Sequence, residues 1–213
     1  MPTYRLFYRR YLPHFQPPGA TLFLTFRLYG SIPREILIAL QEASRRFDRW
    51  LAQVPKEQRA KHALSGYGRI FARWDAALAQ AKSGPTWLAD ERVANVVVEV
   101  LHQLDGERYD LLAYCVMPNH VHVVFTPLPR QAGAEEYHPL AEIMQIIKGR
   151  TARQANQILG RQGRFWQGES YDHVIRDEEE LERVIRYVLY NPVKAGLVQS
   201  PEEWRWNYCK WPV

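Results

Sequence analysis

Two apolar runs, residues 109–117 (YDLLAYCVM) and 120–126 (HVHVVFT), are separated only by Pro118-Asn119, and this constrains the chain more than any other feature. So short a connection turns the chain back on itself, so the runs pair as an antiparallel hairpin. Around it the period changes. Val93, Val96, Val97, Val100, Leu101 and Leu104 recur at helical spacing over 90–104, with Asp90 placed to cap that helix. Leu140, Ile143, Ile146 and Ile147 do the same over 139–159. Residues 20–28 (ATLFLTFRL) read as a strand. Residues 33–53 read as a helix through Ile36, Leu40, Ala43, Phe47 and Leu51. Residues 56–82 read as partly helical, interrupted by Ser65-Gly66-Tyr67-Gly68. Residues 171–175 read as extended, and Asp177 with Glu180 resembles a capping box opening a last helix over roughly 178–191, closed by Pro192. This order predicts an α+β layer, an antiparallel sheet with helices packed on it.

Composition narrows the class. A 46% hydrophobic, 24% charged chain of 213 residues can bury a real core as one domain, or one domain with a sizeable insertion. No apolar stretch is long enough to span a bilayer, and Met1-Pro2-Thr3-Tyr4-Arg5 carries no apolar signal core. Two cysteines, Cys115 and Cys209, form no metal-type pairing and fit a reduced, cytoplasmic compartment. The net charge of +5 leans toward a polyanionic partner without deciding it. The basic residues cluster. Residues 1–19 carry Arg5, Arg9 and Arg10 and no acid, interleaved with tyrosines and phenylalanines. Residues 145–176 carry Lys148, Arg150, Arg153, Arg161, Arg164 and Arg176 against Glu169 and Asp172. Such charges suit phosphates, and Phe165 and Trp166 beside Arg164 suit a stacked, unpaired base. An ordinary solvated helix face and ordinary core packing explain the same residues.

The chemistry concentrates in His120-Val121-His122. Alternation along a strand puts both imidazoles on one face, with Val121, Val123 and Phe125 on the other, so the pair can chelate a divalent metal. Two merely exposed or hydrogen-bonded strand histidines are the alternative. In the last helix Tyr187 and Asn191, four residues apart, share a face at the edge of the apolar stripe of Val184, Ile185, Val188 and Leu189. Asn191 can complete the metal site and leave the Tyr187 hydroxyl beside it; edge packing and helix capping are the plainer reading. Together the two patterns suit phosphodiester transfer, with the metal as Lewis acid and tyrosine as nucleophile. Tyr171 and Tyr190 are rival nucleophiles, the first on an extended segment, the second on the far side of the helix.

At these residues the chain resembles the repetitive-palindrome-associated tyrosine transposases, relatives of the single-tyrosine insertion-sequence transposases in the HUH nuclease class. The resemblance runs through Pro13-His14-Phe15, Pro18-Gly19, Asp105-Gly106-Glu107-Arg108-Tyr109, the stretch from Tyr114 to His122, Phe165-Trp166-Gln167, Tyr171 to Arg176, and Tyr187 to Leu197. It implies a ferredoxin-like core with a central antiparallel sheet flanked by helices. It also implies His120 and His122 as HUH ligands, Tyr187 as nucleophile, Asn191 as polar ligand, and magnesium or manganese as the metal. The implied substrate is single-stranded DNA cut near the hairpin of a repetitive extragenic palindrome, through a 5′-phosphotyrosine, by a monomer or homodimer. Residues 1–213 then form one domain with a basic, aromatic arm over 1–19 and a helical insertion over about 33–86. The alternatives are a domesticated DNA-binding protein of the same fold without cleavage, a metal nuclease that uses water, and an α+β binding module with structural histidines.

Overall fold

The apolar, β-branched runs pair into one five-stranded antiparallel sheet. Its strands are β3 (Leu22–Arg27), β4 (Tyr109–Val116), β5 (His120–Pro127), β6 (Tyr171–Val174) and β7 (Asn207–Cys209), in the order β6-β3-β5-β4-β7. A separate two-stranded ribbon joins β1 (Phe7–Arg9) to β2 (Pro13–Phe15). The structure is a computed structural model that describes residues 7–9, 13–15, 17–79, 84–131 and 133–211. Arg10 lies outside the described residues, and Arg9 ends β1.

The helices are α1 (Arg34–Gln53), α2 (Lys56–Ala79), α3 (Glu91–Gln103), α4 (Leu140–Ile158), α5 (Glu178–Leu189) and the single turn α6 (Asn191–Lys194). Along the chain β3, α3, β4, β5, α4 and β6 form a βαββαβ unit, and the sheet order places its fourth strand beside its first. This is the ferredoxin-like arrangement, an α+β fold. The α1–α2 hairpin is spliced between β3 and α3. Among the described residues no helix is long and apolar enough to cross a membrane.

Strand alternation divides the core in two. Leu22, Leu24, Phe26, Val121, Val123 and Phe125 face α3 and α4, in a cluster with Val97, Leu101, Ile143 and Ile147. The opposite face carries Phe23, Val124 and Cys115, packed against Ile185, Val188 and Leu189 of α5. Thr25, Arg27, His120 and His122 belong to this second face, because β3 and β5 pair Thr25 with His122 and Arg27 with His120.

Several boundaries depart from the sequence expectation. Ser65-Gly66-Tyr67-Gly68 does not interrupt α2, which runs continuously for 24 residues. Gly66 is required there for packing: a Cβ at this position would meet Phe47 Cζ of α1 at 1.9 Å. Pro192 does not stop the chain after α5. Tyr190 caps α5, and Pro192 sits in the first turn of α6, where a missing N–H is harmless. The edge strand β7 and the β1–β2 ribbon have no counterpart in the sequence reading.

The start of α5 is strongly fixed. The Asp177 side chain accepts from Glu180 N at 2.7 Å. The Glu180 carboxylate in turn takes Arg176 N at 3.0 Å, the Arg176 guanidinium at 2.8 and 2.9 Å, and lies 3.0 Å from His173 Nε2. Burial alone would raise that carboxyl, but the bonds from Arg176 and His173 hold it at about 2. The cap of α5 is thus bolted to β6, and Tyr187, two turns on, is positioned by it.

Candidate metal and nucleophile site

His120 and His122 are both fully buried, and their outer nitrogens are each occupied. His120 Nδ1 lies 2.6 Å from Asn119 Oδ1, and His122 Nδ1 lies 2.7 Å from Thr25 Oγ1. The Asn119 amide is oriented by its other end, since Nδ2 donates to Leu78 O of α2 at 3.0 Å. Its oxygen therefore faces the imidazole, His120 carries its proton on Nδ1, and the Nε2 lone pair is left toward the site. Burial, reinforced by the neighbouring His122, lowers His120 to about 3, so it stays neutral.

The two Nε2 atoms stand 3.0 Å apart. Across from them, Asp75 Oδ1 of α2 lies 3.3 Å from His122 Nε2. One donor atom from each of Asp75, His120 and His122 falls within 4.8 Å of the other two. Burial pushes the Asp75 carboxyl up, yet its contacts with His122 and Tyr187 outweigh this and hold it at about 2, so it is ionised. The approach is close but poorly directed, and Asp75 Oδ1 is buried without a hydrogen bond of good geometry. Two imidazole Nε2 atoms and a carboxylate oxygen that crowd one point, with each Nδ1 engaged on the outer side, make a donor set that fits a divalent cation.

Tyr187 borders this cluster. Its ring lies edge-on to Phe23, 5.9 Å away, with the His122 ring at 5.7 Å and Phe71 of α2 at 6.1 Å. Lys194 Nζ sits 4.4 Å over the ring. The hydroxyl is buried and has no hydrogen-bond partner of good geometry. Burial, then the Asp75 charge, push its pKa well above that of an ordinary phenol, so the hydroxyl keeps its proton in this state. Asn191 is also buried, and its Nδ2 donates to Tyr187 O at 3.2 Å. Its amide acts on the Tyr187 hydroxyl in the opposite sense to burial, lowering the pKa. The two other tyrosines are placed differently. Tyr190 is exposed, and Tyr171 stacks on Phe71 at 4.1 Å.

The candidate DNA-contacting residues separate into two groups. Arg150, Arg153 and Arg164 are exposed, the first two on α4. Lys148 is instead tied down, donating to Gln167 O, Gly168 O and Ser170 Oγ at 2.9, 3.2 and 2.8 Å. Trp166 is buried in the core, where Nε1 donates to Thr151 Oγ1 at 2.8 Å and the ring meets Phe26 at 4.8 Å. Phe165 is buried as well, so neither ring offers an open face. Arg176 is held by Glu180.

Sequence reasoning missed Asp75. It lies 45 residues before His120, with no local motif to announce it. One signal was present: Ile70, Phe71, Trp74 and Leu78 trace the apolar stripe of α2, and Asp75 is an acid set within it. Arg27 was missed too. It is buried beside His120, its guanidinium 5.7 Å from the Trp74 ring, and burial lowers its pKa to about 10.

Comparison with known proteins places this geometry. A family profile described as "Transposase IS200 like" matches residues 82–191, just over half of the chain. That segment contains His120, His122, Tyr187 and Asn191 but neither α1 nor α2. A protein of Haemophilus influenzae, provisionally named a REP-associated tyrosine transposase, is 28% identical over 103 residues, 46% of this chain and 58% of that relative's length. The structure of a REP-associated tyrosine transposase bound to a REP hairpin superimposes with a TM-score of 0.51 at 17% identity, covering 94% of this chain and 80% of the other. At that identity the likeness speaks for the fold.

Proposed function

Because this chain belongs to the family of IS200-like transposases, we propose that it cuts single-stranded DNA beside a hairpin of a repetitive extragenic palindrome and rejoins the ends through Tyr187. The observation that carries this reading is the meeting, on one sheet face, of two inward-facing imidazole nitrogens and a tyrosine ring 5.7 Å from one of them. The relative and the structural neighbour, both REP-associated tyrosine transposases by name, support the choice of substrate.

Tyr187 Oη attacks the phosphorus in line, and the P–O3′ bond breaks. The hydroxyl loses its proton, the departing oxygen gains one as a free 3′-OH, and the phosphate stays joined to Tyr187 at the 5′ end. Attack by a second 3′-OH on this phosphotyrosine reverses the step and transfers the strand. His120 and His122, with Asn191 as a polar ligand, would hold a magnesium or manganese ion, which would supply Lewis-acid withdrawal of charge from the phosphate. Thr25 and Asn119 hold the two imidazoles in the ligating orientation. Phe23 and the α5 cap hold the tyrosine. Its hydroxyl is buried, with Phe71 of α2 beside the ring, so a phosphate reaches it when that side chain gives way.

In this reading residues 1–213 act as one unit, with 1–19 as an arm and 33–86 as an insertion. Arg150, Arg153 and Arg164, with Arg9 and Arg10 of the arm, contact phosphates without reading sequence. Lys148, Arg176 and Trp166 act indirectly, by fixing the loop before β6, the cap of α5 and the core.

The test is a denaturing gel of protein mixed with labelled single-stranded palindrome and manganese. Wild type gives a covalent protein–DNA band, and Tyr187→Phe and His120→Ala give none. Cleavage without any covalent band refutes the tyrosine mechanism in favour of water. Binding without cleavage points to a DNA-binding protein of the same fold.

A further inference from the structure

The α1–α2 hairpin lies outside the segment matched by the family profile, yet it reaches into the site more deeply than a peripheral insertion would. Four contacts seat it there. Asn119, which also holds His120, donates to Leu78 O near the end of α2. Phe71 stacks on Tyr171 at 4.1 Å and meets Phe23 edge-on at 5.5 Å. Trp74 packs under the buried Arg27 guanidinium. Gly66 lets α1 close against α2, which fixes the hairpin's own shape.

Asp75 is the polar residue this seating delivers. A largely buried carboxylate set in an apolar stripe is costly unless it is paired or bound to a cation. Asp75 Oδ1 has no hydrogen bond of good geometry to offset that cost. His122 Nε2 lies 3.3 Å from it, and that nitrogen also stands 3.0 Å from His120 Nε2. These separations match a shared ion: with ligands at about 2.1 Å, neighbouring corners of an octahedron are about 3 Å apart. Two imidazoles and one carboxylate make a common set for an octahedral divalent metal and leave positions open for substrate oxygens.

We propose that Asp75 is a further protein ligand of the divalent cation, beside His120, His122 and Asn191, so that the α1–α2 hairpin is a structural part of the metal centre. The proposal rests on the reading of a metal at His120 and His122. It gives the hairpin a role that neither fold nor family supplies: the metal centre is complete only while α2 is seated.

Mn2+ titration without DNA, followed by the loss of the free-ion EPR signal, tests this in wild type, Asp75→Asn, Asp75→Ala and His120→Ala. Both Asp75 variants should weaken Mn2+ binding by at least the 10- to 100-fold that even an outer partner of a metal ligand commands, roughly as His120→Ala does. Thermal melts with EDTA and with Mn2+ separate a lost ligand from a lost fold. Asp75→Asn should keep a cooperative melt in EDTA and should lose most of the upward shift that Mn2+ gives wild type. Asp75→Asn binding Mn2+ as tightly as wild type, with His120→Ala binding weakly, overturns this proposal alone. Wild type that takes up no Mn2+ overturns the metal reading and this proposal together.

Discussion

Gly66 and Gly68 sit two residues apart in α2, and alanine should act on them with opposite sign. In a helix interior alanine is favoured over glycine by about 0.5–1 kcal/mol, because glycine loses more backbone freedom on folding. At Gly68 an added Cβ would meet nothing within 4 Å, so that gain should appear nearly whole. At Gly66 the same atom would fall 1.9, 2.3 and 2.6 Å from Cζ, Cε2 and Cε1 of Phe47. The ring cannot stay. It is held by Trp50 at 5.6 Å and Tyr67 at 5.1 Å, so moving it opens the α1–α2 contact. Overpacking of this kind costs about 1–3 kcal/mol, and the propensity gain offsets only part, leaving a net loss of about 1–2 kcal/mol. Urea unfolding at fixed pH measures both. Gly68→Ala should raise the midpoint and Gly66→Ala lower it, with similar slopes. If Gly66→Ala stabilises as much as Gly68→Ala, α1 and α2 do not pack as described.

Three further outcomes are expected. Thr25→Val removes the partner of His122 Nδ1 and should weaken Mn2+ binding about 10- to 100-fold by titration calorimetry, with little change in fold. Glu180 is held at about 2 in the folded protein against about 4.3 in an unfolded chain, so its contribution is full above the unfolded value and lost as pH falls from there toward 2. Glu180→Gln should therefore flatten the acid limb of a stability–pH curve in that window, and cost about 1.5–3 kcal/mol at neutral pH by removing charge-assisted bonds. Arg150→Ala with Arg153→Ala should leave the melting temperature unchanged and reduce the salt slope of single-stranded DNA binding by about 0.7 per lost phosphate contact, read by fluorescence anisotropy.

The fold was legible where hydrophobic period and chain geometry decide it. The short Pro118-Asn119 connection placed β4 and β5, alternation in His120-Val121-His122 put both imidazoles on one face, and Asp177 marked the start of α5. Tyr187 and Asn191 came from helical spacing on a short segment. Long-range packing was not legible. That Gly66 is a contact and not a break depends on Phe47, nineteen residues away. That Asp75 meets His122 depends on how a two-helix hairpin folds back over the sheet. The contacts of Lys148 and Trp166 are likewise set by tertiary partners, whereas Arg176 pairs with Glu180 only four residues on. A lysine on a basic helix looks the same in sequence whether it reaches outward or, as here, bonds to Gln167 O and Gly168 O.

Peptide mapping of the trapped adduct reads whether the Tyr187 oxygen becomes bonded to DNA. After nuclease trimming, trypsin should release the peptide 187–194, YVLYNPVK, carrying one nucleotide phosphate. Fragmentation separates Tyr187 from Tyr190 within it, and Tyr171 falls on a different peptide. The added mass is expected on Tyr187. The same mass on Tyr190 or Tyr171, or on no tyrosine while DNA is cut, contradicts it.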